Sequence, residues 1–219
     1  MRTLILALGL AVAAAPLAAQ AHGDPDHAAH GGALPAGWHA KLDRANANLS
    51  DVSFTNMGDG VHVTSGPAAI YWRPENTFAS GDYRVQATFA QTRAPTHPEA
   101  YGIVIAGKNL DTDPDYMYFL VRGDGKYMVK HRAAGGEIHT IVDWTDSPAV
   151  VKQDAAGKAT NTLTAEAGAW GVRFLANGTK VAEFLTANVP YLNTQGIAGL
   201  RVNHNLDVHV SGFSAAATR

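Results

Sequence analysis

Three places in this chain bring together side chains that can do chemistry. The first is His97-Pro98-Glu99, a histidine and a glutamate two residues apart in a loop that enters an apolar run. An imidazole and a carboxylate so placed are candidate catalytic groups for moving a proton, and the same residues also suit an ordinary polar loop. The second, Asp111-Thr112-Asp113-Pro114-Asp115, sets three carboxylates on alternate positions. Calcium takes several hard oxygens from a flexible loop, so Asp111, Asp113 and Asp115 are candidate calcium ligands. The run lacks the glycine and distal glutamate of an EF-hand, which excludes that motif, and the preference of Asp for turns accounts for it without a metal. The third lies near the N-terminus, where His22, Asp24, Asp26, His27 and His30 follow one another closely. Cleavage before His22 would join a free α-amine to its imidazole, a chelate for copper or zinc that His27 or His30 completes. A histidine-brace oxygenase would need His22 held rigidly against a sheet, whereas this segment reads as a tail. His204 and His209, near the C-terminus, read as structural histidines.

The elements that must position these groups are strands. Tyr83, Val85, Ala87 and Phe89 alternate with Arg84, Gln86 and Thr88, which is the period of a half-buried strand. Gly102 to Ala106 is a continuous apolar run and predicts a strand buried on both faces. Tyr116–Arg122 and Lys126–Arg132 form a hairpin around Gly123-Asp124-Gly125. Asn177-Gly178, the strongest short hairpin signal, joins Trp170–Leu175 to Thr179–Phe184. Val52 and Phe54, then Val61-His62-Val63, flank Gly58-Asp59-Gly60; Ala69–Trp72 is a short strand stopped by Pro74; Gly196–Asn203 and Leu206–Phe213 close the chain. Only Pro148–Ala156 has room for a short helix. Ten or more short strands with almost no helix predict an all-β sandwich or barrel, and the repeated blade of a propeller is missing.

Composition narrows the setting. Arg2, the apolar stretch Leu4–Leu17 and Ala19-Gln20-Ala21 make residues 1–21 a signal peptide, too short for a membrane span and followed by no stop-transfer segment. The expected mature protein is therefore periplasmic or secreted, with no membrane span after cleavage. Residues 22–37 are poor in large apolar groups and predict a flexible His-rich tail; residues 38–219 form one domain. The chain has no cysteine, so packing alone must hold it. Its net charge is −2, and losing Arg2 takes the mature chain to −3. With no basic patch, nucleic acid is excluded as a partner.

The order of motifs carries a resemblance. Gly81-Asp82-Tyr83-Arg84-Val85 is followed by Tyr101-Gly102-Ile103-Val104, then by Tyr116-Met117-Tyr118-Phe119 with its Gly-Asp-Gly-Lys-Tyr turn. Asn161-Thr162-Leu163, Val172-Arg173-Phe174 with Ala-Asn-Gly, and Gly196-Ile197-Ala198-Gly199-Leu200 complete the series. Over roughly residues 38–214 it resembles laminin-G-like and concanavalin-A-like jelly rolls, and more closely the 3-keto-disaccharide hydrolase domain family. The resemblance implies a two-sheet antiparallel jelly-roll sandwich and a saccharide or glycan partner. If the chain is an enzyme, it implies a glycoside-processing hydrolase or lyase in which His97 and Glu99 take a proton beside a ketone.

Retaining glycosidases of this fold carry paired carboxylates on one strand face, about 5 Å apart. Here Glu137, Asp143 and Asp146 stand isolated, so that mechanism is not expected. In the central hairpin Tyr118, Leu120 and Arg122 share a face, as do Lys126, Met128 and Lys130, with Tyr127, Val129 and His131 opposite. Both faces are half apolar, so alternation leaves open which one meets the core. With Arg122 and Lys130 turned to a groove near Tyr71, Tyr101 and Arg201, the group suits sugar hydroxyls or a carboxylated sugar. Solvated surface charge is the other reading. A non-catalytic laminin-G-type interaction module and a metal-binding protein working through its tail complete the expectations.

Overall fold

The computed structural model describes residues 29–189 and 191–218; the signal-like segment, His22 and His27 lie outside the described residues. The first half of the fold comprises β1 (His39–Leu42), β2 (Val52–Met57), β3 (Gly60–Ser65), β4 (Ala69–Phe78), β5 (Tyr83–Gln91), β6 (Ala100–Lys108) and β7 (Asp115–Arg122). The second comprises β8 (Lys126–Arg132), β9 (Ile138–Asp146), β10 (Ala159–Gly168), β11 (Gly171–Ala176), β12 (Thr179–Leu185), β13 (Gly196–Val202) and β14 (Asp207–Ala217). They build two seven-stranded antiparallel sheets, ordered β1-β4-β13-β6-β7-β8-β9 and β12-β11-β10-β5-β14-β3-β2. No helix among the described residues is long and apolar enough to cross a membrane.

Alternation makes the core. Tyr83, Val85, Ala87 and Phe89 of β5 are all buried, whereas Arg84 is exposed. Among the described residues four aromatic pairs bridge the sheets: Phe54 with Tyr71 at 4.7 Å, Phe78 with Tyr83 at 4.1 Å, Phe89 with Tyr101 at 5.2 Å, and Phe119 with Phe174 at 5.0 Å between ring centroids. Each such ring removes about 150–250 Å² from water, so these contacts dominate the packing between the sheets. β6 is buried at every residue from Ala100 to Gly107, as its apolar run predicts. At the β11–β12 turn Asn177 and Gly178 both have positive φ, 51° and 79°, the mirror-image turn that matches strand twist.

The structure differs from expectation in three places. β4 does not stop at Pro74: its pairing with β13 jumps from Trp72↔Gly199 to Thr77↔Ile197, so Pro74 sits in a bulge where no ladder donor is needed. Pro148–Ala156 forms no helix. It is tied instead by the Asn161 side chain, which accepts from Val151 N and donates to Val151 O, and by Gln153 N donating to Gly123 O. The tail expected to be flexible is anchored over its described part. Gly31 N and Gly32 N donate to Ser50 O and Val52 O, Ala29 is buried, and Leu34 packs against the core. Those backbone bonds supply what its composition lacks.

Candidate functional site

The register decides which face of the central hairpin points where. Met117, Phe119, Val121, Tyr127 and Val129 turn inward to the core shared by both sheets. The opposite, outer face of the first sheet carries a second apolar cluster: Ile70, Trp72, Ala100, Val104, Leu110, Tyr116, Tyr118, Leu120 and Met128, with Trp144 and Ile197 packed on it. Cations and an imidazole roof its rings. Arg201 lies 5.1 Å from the Tyr118 ring, Arg122 4.3 Å from Trp144, and His39 stacks on Trp72 at 5.6 Å. Arg122, Lys130 and Arg201 are all on this outer face.

Tyr71 and Tyr101 are not. Both expected ligand residues are fully buried between the sheets, because their positions alternate with Ile70, Trp72 and Ala100 on the outer face. The Tyr101 hydroxyl accepts from Asn161 Nδ2 at 3.2 Å, and burial pushes its pKa up to about 12. Among the described residues the Tyr71 hydroxyl finds no hydrogen-bond partner, and burial raises its pKa further. Neither can reach a ligand.

Arg201 is the centre of the polar layer on this face. Its Nη1 donates to Asp43 Oδ1 and to the Tyr116 hydroxyl, both at 2.9 Å; Nη2 donates to Asp43 Oδ2, and Nε to Asn203 Oδ1 at 3.1 Å. Burial works against its charge, but Tyr116, Asp43 and Tyr118 more than offset this and hold its pKa above the ordinary arginine value. Arg122 is committed locally, as a fork onto Asp124 at 2.8 and 2.6 Å. That bond raises the Arg122 pKa and lowers that of Asp124. Lys130 stands opposite Tyr118 in register. Beside these groups a cleft of about 280 Å³ opens, lined by Lys41, Asp43, Ile70, Asp113, Tyr116 and Arg132 among others. Neither Lys130 nor Arg132 has a side-chain hydrogen bond or ion pair with a described residue. A hollow of about 390 Å³ beside Trp38, Arg73 and Phe213 offers fewer polar side chains.

The Asp111 loop does not gather its carboxylates. Asp111 lies 3.8 Å from His39 Nδ1, Asp113 caps Gly135 N at 2.7 Å, and Asp115 pairs with His131 at 3.1 Å. His131 faces inward and stacks on His139 and Tyr191. Each carboxylate is thus spent on a separate partner, which accounts for the run as turn and rim chemistry. His30, the one described member of the N-terminal metal set, is exposed and joins no converging ligand group among the described residues.

His97 and Glu99 do come together, and they gain a third group. His97 Nε2 is 3.1 Å from Glu99 Oε1, His204 Nε2 is 2.7 Å from the same oxygen, and the two Nε2 atoms are 2.6 Å apart. His204, read from sequence as structural, belongs with the loop before β6. No local signal pairs it with residues more than a hundred positions earlier; the corner Asn203-His204-Asn205 was legible only as a turn.

The fold is that of a two-sheet antiparallel jelly-roll sandwich of the concanavalin-A-like kind. The chain is similar to the carbohydrate-binding module CBM66 from Bacillus subtilis, with a TM-score of 0.59 and 12% identity over 83% of this chain and 96% of that one. It is also similar to the polysaccharide lyase family-7 alginate lyase A1-II′, with a TM-score of 0.55 and 10% identity over 90% of this chain and 96% of that one. A Bacillus subtilis protein of unknown function with a galectin-like fold gives a TM-score of 0.56 and 13% identity over 81% and 88%. At such identities the likeness is one of fold. No protein-family model matches the chain, and no curated protein matches it either.

Proposed function

We propose that this chain binds an acidic saccharide on the outer face of its first sheet, in the cleft floored by Ile70 and Tyr116. The observation that carries the reading is Arg132: a half-buried guanidinium on the cleft wall, without a side-chain partner among the described residues, beside Lys41 and Asp43. A guanidinium fork matches a carboxylate in two parallel hydrogen bonds. Asp43, already oriented by Arg201, keeps lone pairs for sugar hydroxyls, and Lys130 adds positive charge along the same face. Similar folds that bear the names of a carbohydrate-binding module and an alginate lyase support a saccharide as the ligand. The signal-like residues 1–21 support placing this binding in the periplasm or outside the cell. The reading is one of binding. The resemblance to 3-keto-disaccharide hydrolase domains would add turnover at His97 and Glu99, which binding at the cleft does not require.

The test is affinity electrophoresis of the mature protein through gels containing polyuronate or a neutral glucan. Retardation by polyuronate alone is expected, weakening as salt rises. Arg132→Ala should weaken binding roughly 10- to 100-fold, the worth of a hydrogen bond to a charged group. Equal retardation by both polymers, or an unchanged Arg132→Ala protein, would overturn the reading.

A further inference from the structure

The geometry points to a site for one divalent first-row transition ion, of which zinc is the type, held by His97 Nε2, His204 Nε2 and a Glu99 oxygen. These are the ligand atoms that converge within 4.8 Å of one another, and they form the one such set among the described residues. Two imidazoles and a carboxylate are a recurrent three-ligand set for catalytic zinc and for non-haem iron, leaving further positions for water or an oxygen donor. Donors around an ion about 2.1 Å away stand roughly 3.0–3.4 Å apart. Of the observed separations, 3.1 Å already lies in that range, while 2.6 and 2.7 Å need to open by roughly 0.3–0.8 Å, which side-chain rotation at the exposed His97 supplies.

Protons alone serve this arrangement poorly. Two neutral imidazoles facing each other through Nε2 hold a single proton between them, yet both nitrogens also meet the same carboxylate oxygen. One cation bound at all three lone pairs resolves every contact at once. The surroundings fit as well. His97 Nδ1 lies 3.1 Å from Thr96 Oγ1, a partner on the far side of the ring of the kind that orients metal-binding histidines. The two loops are locked together by Thr96 N donating to Asn205 Oδ1 and Asn203 N donating to Ala100 O, at 2.8 and 2.9 Å. The Glu99 side chain is 12% exposed while His97 is 45% exposed, so the ligands are braced from below and the open positions face solvent.

The site stands apart from the acidic-saccharide reading and from the N-terminal histidines, and the experiment keeps them apart. The mature chain carrying His22→Gln, His27→Gln and His30→Gln is stripped with chelator and titrated with zinc by calorimetry. One equivalent per chain is expected, with the thermal midpoint rising roughly 5–10 °C at a hundredfold excess over the dissociation constant. Adding His204→Gln or Glu99→Gln should lower affinity at least hundredfold and abolish the midpoint shift, with far-UV circular dichroism of the metal-free proteins unchanged. Should His204→Gln fail to fold, the more exposed His97→Gln serves in its place. No zinc uptake by the tail-substituted protein, or equal uptake after Glu99→Gln and His97→Gln, overturns the site.

Discussion

Removing the Asp43 carboxylate should destabilise the protein in the absence of any ligand. Arg201 is 8% exposed, and Asp43 accepts from two of its nitrogens. Breaking one side of a buried pair costs about 3–5 kcal/mol, because the remaining charge is left uncompensated in a poorly solvated place. Here the Asp43 side chain is itself 33% exposed, and Tyr116 and Asn203 still accept from the guanidinium. Water and those two acceptors soften the loss, so Asp43→Ala is expected to cost about 2–3 kcal/mol. For a domain of this size the thermal midpoint falls by roughly 4–12 °C. Replacing both partners, as Asp43→Ala with Arg201→Met, removes the stranded charge and leaves an apolar chain over Tyr118. That double variant should return to within about 1 kcal/mol of the parent. Urea unfolding followed by tryptophan fluorescence gives these values, read from the transition midpoint at an unchanged slope. If Asp43→Ala lies within about 0.5 kcal/mol of the parent, or the double variant is as unstable as the two single changes added together, then the pair does not organise this face.

Two further outcomes follow from burial and from close backbone packing. Burial is the first cause of raised pKa values at Tyr71, Tyr83, Tyr101, Tyr116, Tyr118 and Tyr127. A raised folded value protects the neutral phenol, so stability is full below the unfolded pKa near 10 and falls as pH rises toward the folded values. Tyrosinate absorbance should therefore appear together with loss of the far-UV spectrum above about pH 10, and Tyr101→Phe should shallow that decline; early titration of most tyrosines in a folded protein would contradict the buried placement. At Gly102 a Cβ would meet Phe119 O at 2.0 Å and Leu120 Cα at 3.0 Å, both backbone atoms. Gly102→Ala must push β6 from β7 at the centre of the first sheet, so a loss of about 3 kcal/mol or more is expected in the same urea assay, and a near-neutral result would mean the strands are not so close.

The local features were legible because they depend on neighbours in sequence. The β5 alternation, the apolar β6 run and the Asn177-Gly178 turn each express a backbone preference or a period of two, and each stands in the structure as read. The passage of β4 through Pro74 was not legible, because a proline is tolerated there only by the bulge formed against β13. The segment 148–156 was misjudged for a related reason. Its backbone partners are Asn161 and Gly123, side chains and loops brought in by the fold rather than by its own propensity.

The sequence by itself determined that this is an all-β chain of short strands with tight turns, and it named Arg122, Lys130, Arg201, His97 and Glu99 as residues worth placing. Only the tertiary structure decided which way they point and what they meet. Tyr71 and Tyr101 went into the core, since one step along a strand reverses a side chain and nothing local says which face a second sheet will cover. His204 joined His97 and Glu99 because β13 pairs with β6 although the two are distant in sequence, and Arg132 came to line the same cleft as Asp43 because β8 and β1 belong to one sheet. Composition and period carry no record of such contacts: they arise when two sheets close on one core, and the site exists only once they have.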